Sequence, residues 1–277
     1  MRGAAIFVLL LFVGIVVAFV ISAASKSIGG MAVPADLNSG GEAGGETDEP
    51  ESGPEAAVLP ESREGSVYIS DVSVYDSGRK ARVVLRTNLA EGESVDITSW
   101  MIRTNKRRLF IPEAVRVYRV GGSNSEGHIV LDKGNYVILY AGGSSPVGRN
   151  FRVNACTGYL NNRYEFEASL PNDCPLPERD SYKHLAGWCQ DYIRSMERCG
   201  LPDANETNEW RGDDGNACRS FVYDFFNVDN CYRSFSESEL LSDEWRVWVG
   251  AEYVFDRRHD WVKLVNKEGR VIDDYVY

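Results

Sequence analysis

The sequence predicts a mainly β fold: a β sandwich interrupted by a disulfide-linked helical insertion, preceded by a transmembrane helix and a disordered linker. Three observations carry this reading. Short runs rich in β-branched residues, separated by turn signals, fill residues 66–140 and return after 244. All six cysteines fall between Cys156 and Cys231, across a stretch where the apolar spacing turns helical. The chain also opens with 23 uncharged residues, Gly3 to Ser25.

Residues 4–21 are almost purely Ala, Val, Ile, Leu and Phe. At about 1.5 Å of rise per residue the uncharged run is roughly 34 Å long, enough to cross a hydrocarbon core of about 30 Å. A cleavable signal peptide is the competing reading, because Ser22-Ala23-Ala24 supplies small residues near a cut. Signal h-regions run only about 7–15 residues, and this one is longer, so residues 1–25 read as a signal-anchor. Arg2 and Lys26 flank the run, leaving the positive-inside count nearly balanced. The cysteines decide orientation instead, since disulfides persist in oxidising compartments. The expectation is a cell-membrane, single-pass protein with its N-terminus inside, its body extracytoplasmic, and membrane contact through residues 4–24.

Residues 26–65 form the expected linker. Lys26 to Glu64 contains no aromatic residue and sets nine acids against two bases, within a total net charge of −11. Low hydrophobicity with high net charge cannot repay ordering entropy, which makes this a self-repelling leash.

The body is expected over 66–277. Val67, Ile69, Val72 and Val74, then Val83 and Leu85, then Val95 and Ile97 recur in short runs. Further runs lie at Leu109–Ile111, Val115–Val120, Ile129–Leu131 and Tyr136–Tyr140. Strands this short, with turns such as Glu91-Gly92-Glu93 and Gly121-Gly122-Ser123-Asn124 between them, indicate a sandwich or barrel. Trp100 reads as a core anchor. Strand character returns at Trp245, Val247 and Val249, at Trp261–Val265, and at Val271–Val276.

The insert is placed at about 167–244. Tyr182, Leu185, Cys189, Tyr192, Ile193 and Met196 make one amphipathic stripe, with an N-cap at Asp180-Ser181 and a stop at Gly200 and Pro202. A second helix reads from about Asn216 to Phe226. Folding the two back as a hairpin would nest Cys199 with Cys218 and Cys189 with Cys231, leaving Cys156 with Cys174, although spacing alone does not determine connectivity. A zinc site is the rival reading, and no Cys-x-x-Cys pair supports it.

Several segments resemble the lamin tail domain, an immunoglobulin-like β sandwich. They are Val67–Val72, Ala81–Asn88, Val95–Arg103 followed by Phe110-Ile111-Pro112, and the closing stretch Trp261–Asn266 to Gly269–Tyr275. Phe151–Leu160 is similar to a segment of bacterial, membrane-anchored, mostly uncharacterised variants with a cysteine-containing insert. The resemblance covers about 66–166 and 245–277. It implies adhesion or scaffolding, and it supplies neither catalytic residues nor a ligand.

Chemistry is otherwise sparse. His128, His184 and His259 lie far apart, and no nucleophile elbow, phosphate loop or dinucleotide fingerprint is present. Asp213-Asp214 and Asp273-Asp274 would serve acid–base chemistry only within a cleft. Oxygen ligands crowd Asp203 to Asn216 but miss the spacing of a calcium loop. Arg103, Lys106, Arg107 and Arg108 form a basic turn, a candidate partner contact, while the net charge of −11 argues against general nucleic-acid affinity. Trp188, Trp210, Trp245 and Trp248 suit either a sugar-binding surface or internal packing. The sequence therefore indicates no catalytic residue, cofactor or metal. It suggests a non-enzymatic binding or structural role at the cell surface, toward a protein or glycan. The alternative is a hydrolase or nuclease accessory with acids lining a cleft of the insert.

Overall fold

Period-2 alternation governs the central strands. The computed structural model describes residues 65–76 and 80–277. Its strands are β1 (Val67–Tyr75), β2 (Lys80–Thr87), β3 (Ser94–Asp96), β4 (Met101–Arg103), β5 (Arg108–Phe110), β6 (Val130–Asp132), β7 (Tyr136–Ala141) and β8 (Phe151–Asn154). After the helices come β9 (Leu241–Trp248), β10 (Trp261–Val265) and β11 (Val271–Val276). Along β2, Ala81, Val83 and Leu85 point one way; so do Val137, Leu139 and Ala141 of β7, and Trp245 and Val247 of β9. Together with Ile97, Trp100, Ile102, Ile111, Phe255 and Leu264 they form the main core. Strand-forming residues with one apolar face must bury that face, and here three sheets share the burial.

The largest sheet has five strands in the order β1-β2-β7-β9-β8, the second has four in the order β11-β10-β4-β5, and β3 pairs with β6. β7 and β9 run parallel, with Tyr140 opposite Trp248, whereas the other strand pairs are antiparallel. A parallel pair needs a long crossover. Here it is supplied by β8, a 3₁₀ helix at Thr157–Asn162, and six α-helices: α1 (Arg179–Tyr182), α2 (Gly187–Ser195), α3 (Ala204–Thr207), α4 (Gly212–Phe225), α5 (Val228–Arg233) and α6 (Glu237–Leu240).

This corrects the expected fold class. The described residues make a mixed α/β fold with three disulfides, and its sheets stay open rather than closing into a barrel or an immunoglobulin-like sandwich. The expected lamin-tail-like topology is overturned with it. Alternation marks strands but carries no information on their partners, so the parallel crossover was invisible. Val115–Val120, expected as a strand, contributes only an isolated bridge from Val115 to Phe151.

The membrane reading is corrected as well. Among the described residues no helix is long and apolar enough to cross a membrane. The longest, α4, has 14 residues, about 21 Å against a hydrocarbon core of about 30 Å. The apolar run at residues 4–24 and the linker after it lie outside the described residues. Signal-anchor, membrane contact, single-pass topology and cell-surface placement are therefore not carried forward.

The single long helix expected from the Tyr182–Met196 stripe is two helices, with the chain extended at Ala186. The cysteines bond as Cys156–Cys231, Cys174–Cys199 and Cys189–Cys218, and not in the nested pattern. Cys189 on α2 and Cys218 on α4 meet inside a small helical core with Ile193, Val222 and Phe226. Cys199 lies past the end of α2 and reaches Cys174. Cys231, on α5, is thereby left to the chain leaving β8.

Candidate functional site

The strand positions that face away from the main core carry the polar chemistry. On β2 these are Lys80, Arg82, Val84 and Arg86; on β7, Tyr136, Ile138 and Tyr140; on β9, Glu244, Arg246 and Trp248. Register sets them side by side: Arg82 faces Tyr140, and Tyr140 faces Trp248. The Tyr140 and Trp248 rings stack with centroids 5.0 Å apart. Phe151 and Phe166 pack beside Trp248.

A buried ion pair fastens a covering strap over this face. Arg246 Nε donates to Glu244 Oε1 at 2.5 Å, and its terminal nitrogens donate to the carbonyls of Ala168 and Ser169. Tyr136 also donates to Glu244, at 2.9 Å. Burial, then that hydrogen bond and the carboxylate's charge, push the Tyr136 phenol up to about 12. Trp248 Nε1 lies 3.4 Å from the Glu167 carboxylate of the same strap.

Between the strap and the β1–β2 end of the sheet lies a groove of about 370 Å³, lined by Tyr75, Lys80, Arg82, Tyr140, Glu167 and Ala168 among others. This volume falls in the range of small-molecule sites, about 300–1,000 Å³. Two buried polar atoms here have no hydrogen-bond partner among the described residues: the Tyr140 hydroxyl and Arg82 Nε. Tyr140 is only 5% exposed. Its phenol is raised by burial, which the positive charge of Arg246 opposes and the Glu244 and Glu167 carboxylates reinforce. Arg82 spends one terminal nitrogen on Asp71, at 3.1 Å. Burial works against its charge, but the Asp71 hydrogen bond and the neighbouring Tyr75, Asp71 and Tyr140 outweigh it and raise its pKa. An unsatisfied buried polar group costs about 1–3 kcal/mol, so two at one groove need an explanation.

The residues singled out from sequence lie elsewhere. Arg103, Lys106, Arg107 and Arg108 are all exposed on the β4–β5 turn. That turn is tied down by the Thr104 hydroxyl bonding Val254 O at 2.7 Å and by Lys106 pairing with Asp256 at 3.4 Å. The acids expected to line a cleft of the insert do not converge. Asp213 and Asp214 stand exposed in the first turn of α4 and Asp203 caps α3; outside the insert, on β11, Asp273 accepts from Ile69 N and Asp274 from Trp261 Nε1. Among the described residues no cluster of His, Cys, Asp and Glu could hold a metal ion. The hydrolase or nuclease-accessory reading is corrected on these grounds.

His128 bonds Asp96, His259 bonds the Tyr277 carbonyl, and His184 is exposed on a separate element. Trp100 and Trp245 are core residues and Trp248 is buried in the stack, whereas Trp188 stays exposed with its ring edge against Trp210. Sequence reasoning missed the groove because its residues come from four separated segments. The one signal was the alternation in Lys80–Arg86 and Tyr136–Tyr140, which leaves Arg82 and Tyr140 on the face opposite the core. Compared with known proteins, the chain matches no family model and no curated protein, so the resemblance to lamin tail domains has no support from that side either.

Proposed function

We propose that the chain is a non-catalytic recognition domain that seats a small ligand in the groove between the strap at Glu167-Ala168 and the β1–β2 end of the five-stranded sheet. The observation that carries this reading is the Tyr140 hydroxyl, buried and unpartnered beside an equally unpartnered Arg82 Nε. Native folds rarely retain such orphans without a compensating role, and a ligand that satisfies both recovers their desolvation cost. The stacked Trp248, the Glu244–Arg246 pair and the bonds from Arg246 to the strap hold the groove's wall rigid before anything enters it. Such preorganisation lowers the cost of binding. The surrounding groups pair with one another rather than around a nucleophile and base, which favours binding over turnover.

The test is a fragment screen by amide and side-chain chemical-shift mapping on the folded, oxidised chain. Recognition predicts that hits cluster on Arg82, Tyr140, Gly142 and Ala168. Hits scattered elsewhere, or none at all, would overturn the reading.

A further inference from the structure

We infer that the groove selects a monocarboxylate carrying a flat apolar body, a class that rests on the recognition reading above. The inference starts from hydrogen-bond arithmetic. Arg82 Nε carries a hydrogen and no lone pair, so it can only donate. Asp71 is bonded through a terminal nitrogen, which leaves Nε without a partner among the described residues. The Tyr140 phenol is raised above its ordinary value by burial; it stays protonated at neutral pH and donates as well. Lys80, exposed at the mouth, adds a third donor. Three donors line the β1–β2 side of the groove, and among the described residues neither Arg82 Nε nor the Tyr140 hydroxyl has a partner, which calls for an acceptor-rich group. A carboxylate presents two oxygens and about four lone-pair sites.

Charge then limits how much anion the groove tolerates. Lys80 and Arg82 are balanced by Asp71 and by Glu167 on the opposite wall. A dianion such as a phosphate monoester would bring its second charge toward Glu167, whereas a monocarboxylate keeps its single charge on the β1–β2 side. The rest of the lining favours an apolar body. Tyr75 offers a half-exposed ring, and Ala81, Ala141, Gly142 and Ala168 are too small to fill the space. Aromatic rings pack on such walls in offset or edge-to-face geometry.

Three probes that share a phenyl ring and a two-carbon spacer test the inference by calorimetry and shift mapping on the full, oxidised chain: 3-phenylpropanoate, its neutral alcohol 3-phenylpropanol, and 2-phenylethyl phosphate. The carboxylate is expected to bind about tenfold more tightly than the alcohol and the phosphate, the size of one or two charge-assisted hydrogen bonds. Tyr140→Phe and Arg82→Gln are each expected to weaken the carboxylate about fivefold or more and to leave the alcohol unchanged. Lys80→Gln, at an exposed position that cannot disturb folding, should cost the carboxylate about twofold and should steepen none of the alcohol's affinity. Equal binding of alcohol and carboxylate, or tighter binding of the phosphate, would overturn the carboxylate inference while leaving recognition at the groove intact. If none of the three probes shifts the signals of Arg82, Tyr140 or Ala168, both fall together.

Discussion

Cys156 and Cys231 are bonded across 75 residues of sequence, with Cα atoms 5.8 Å apart. The bond joins the chain leaving β8 to α5. It therefore encloses the 3₁₀ helix, four α-helices and both other disulfides in one loop. In the chain-entropy account such a loop contributes about 4.5 kcal/mol, against about 3.5 for the 25-residue separation of Cys174 and Cys199. The double replacement Cys156→Ala/Cys231→Ala is expected to lower the denaturation midpoint more than Cys174→Ala/Cys199→Ala does. Urea titration of the two variants would reject this account if the order reversed.

Gly158 sits where a side chain has no room. A Cβ added there would lie 2.5 Å from Cys199 Sγ and 2.6 Å from the Pro171 carbonyl. Both neighbours are held, one by a disulfide and the other by the backbone, so neither yields cheaply. Gly158→Ala is expected to cost about 2–3 kcal/mol. A variant with unchanged stability by chemical denaturation would contradict the packing described.

Asp260 is fully buried and accepts three backbone amides: Asn105 N at 2.9 Å, Asp256 N at 2.8 Å and Trp261 N at 2.8 Å. It is the clasp between the basic β4–β5 turn and the start of β10. Asp260→Ala leaves those amides without an acceptor and is expected to cost about 3 kcal/mol or more. Hydrogen exchange should quicken first at Asn105 and Trp261. Uniform exchange across the chain would count against a local clasp.

Tyr140 and Tyr136 sit four residues apart on one strand face and predict opposite outcomes. Tyr136→Phe removes a hydrogen bond to a buried carboxylate and is expected to lose about 1.5–3 kcal/mol. Tyr140→Phe removes a hydroxyl with no partner, so the ligand-free protein should keep its stability or gain up to about 1 kcal/mol. Thermal melts of both variants decide the matter. A destabilised Tyr140→Phe would mean that the hydroxyl is satisfied after all.

His128 and Asp96 form an ion pair at 2.6 Å. The hydrogen bond to Asp96, then that carboxylate's charge, raise the His128 pKa above its usual 6.5. Burial pulls the Asp96 carboxyl up, but the hydrogen bonds from His128 and Thr98 prevail and lower its pKa below the usual 3.8. The histidine's contribution is therefore complete below about pH 6.5 and fades as pH rises through the raised folded value. That of the aspartate is present above about pH 3.8 and fades as pH falls through the depressed folded value. The pair stabilises most between about pH 4 and 6.5. NMR titration should place the His128 midpoint above 6.5, and Asp96→Asn should return it to about 6.5. A midpoint unmoved by Asp96→Asn would dismiss the coupling.

By itself the sequence determined the regions where most strands and the longer helices lie, because the period of apolar residues is a local property, although it misplaced a strand at Val115–Val120 and merged α1 with α2. Alternation at Ala81, Val83 and Leu85 and at Val137 and Leu139 marked the core side, and the spacing of Cys189, Tyr192 and Ile193 marked a helix. Trp100 reads as a core anchor and is one, whereas the sequence leaves Trp245 open between a sugar-binding surface and internal packing, and only the structure places it in the core. Only the tertiary structure decided which strand lies beside which, and therefore that β9 returns parallel to β7 instead of closing a sandwich. The same holds for cysteine pairing, which depends on how α2 and α4 pack rather than on separation along the chain. The groove is the furthest from being legible. Arg82, Tyr140 and Glu167 become neighbours only after strand register and the Arg246-bound strap are in place, and hydrogen-bond satisfaction is a property of that three-dimensional arrangement alone.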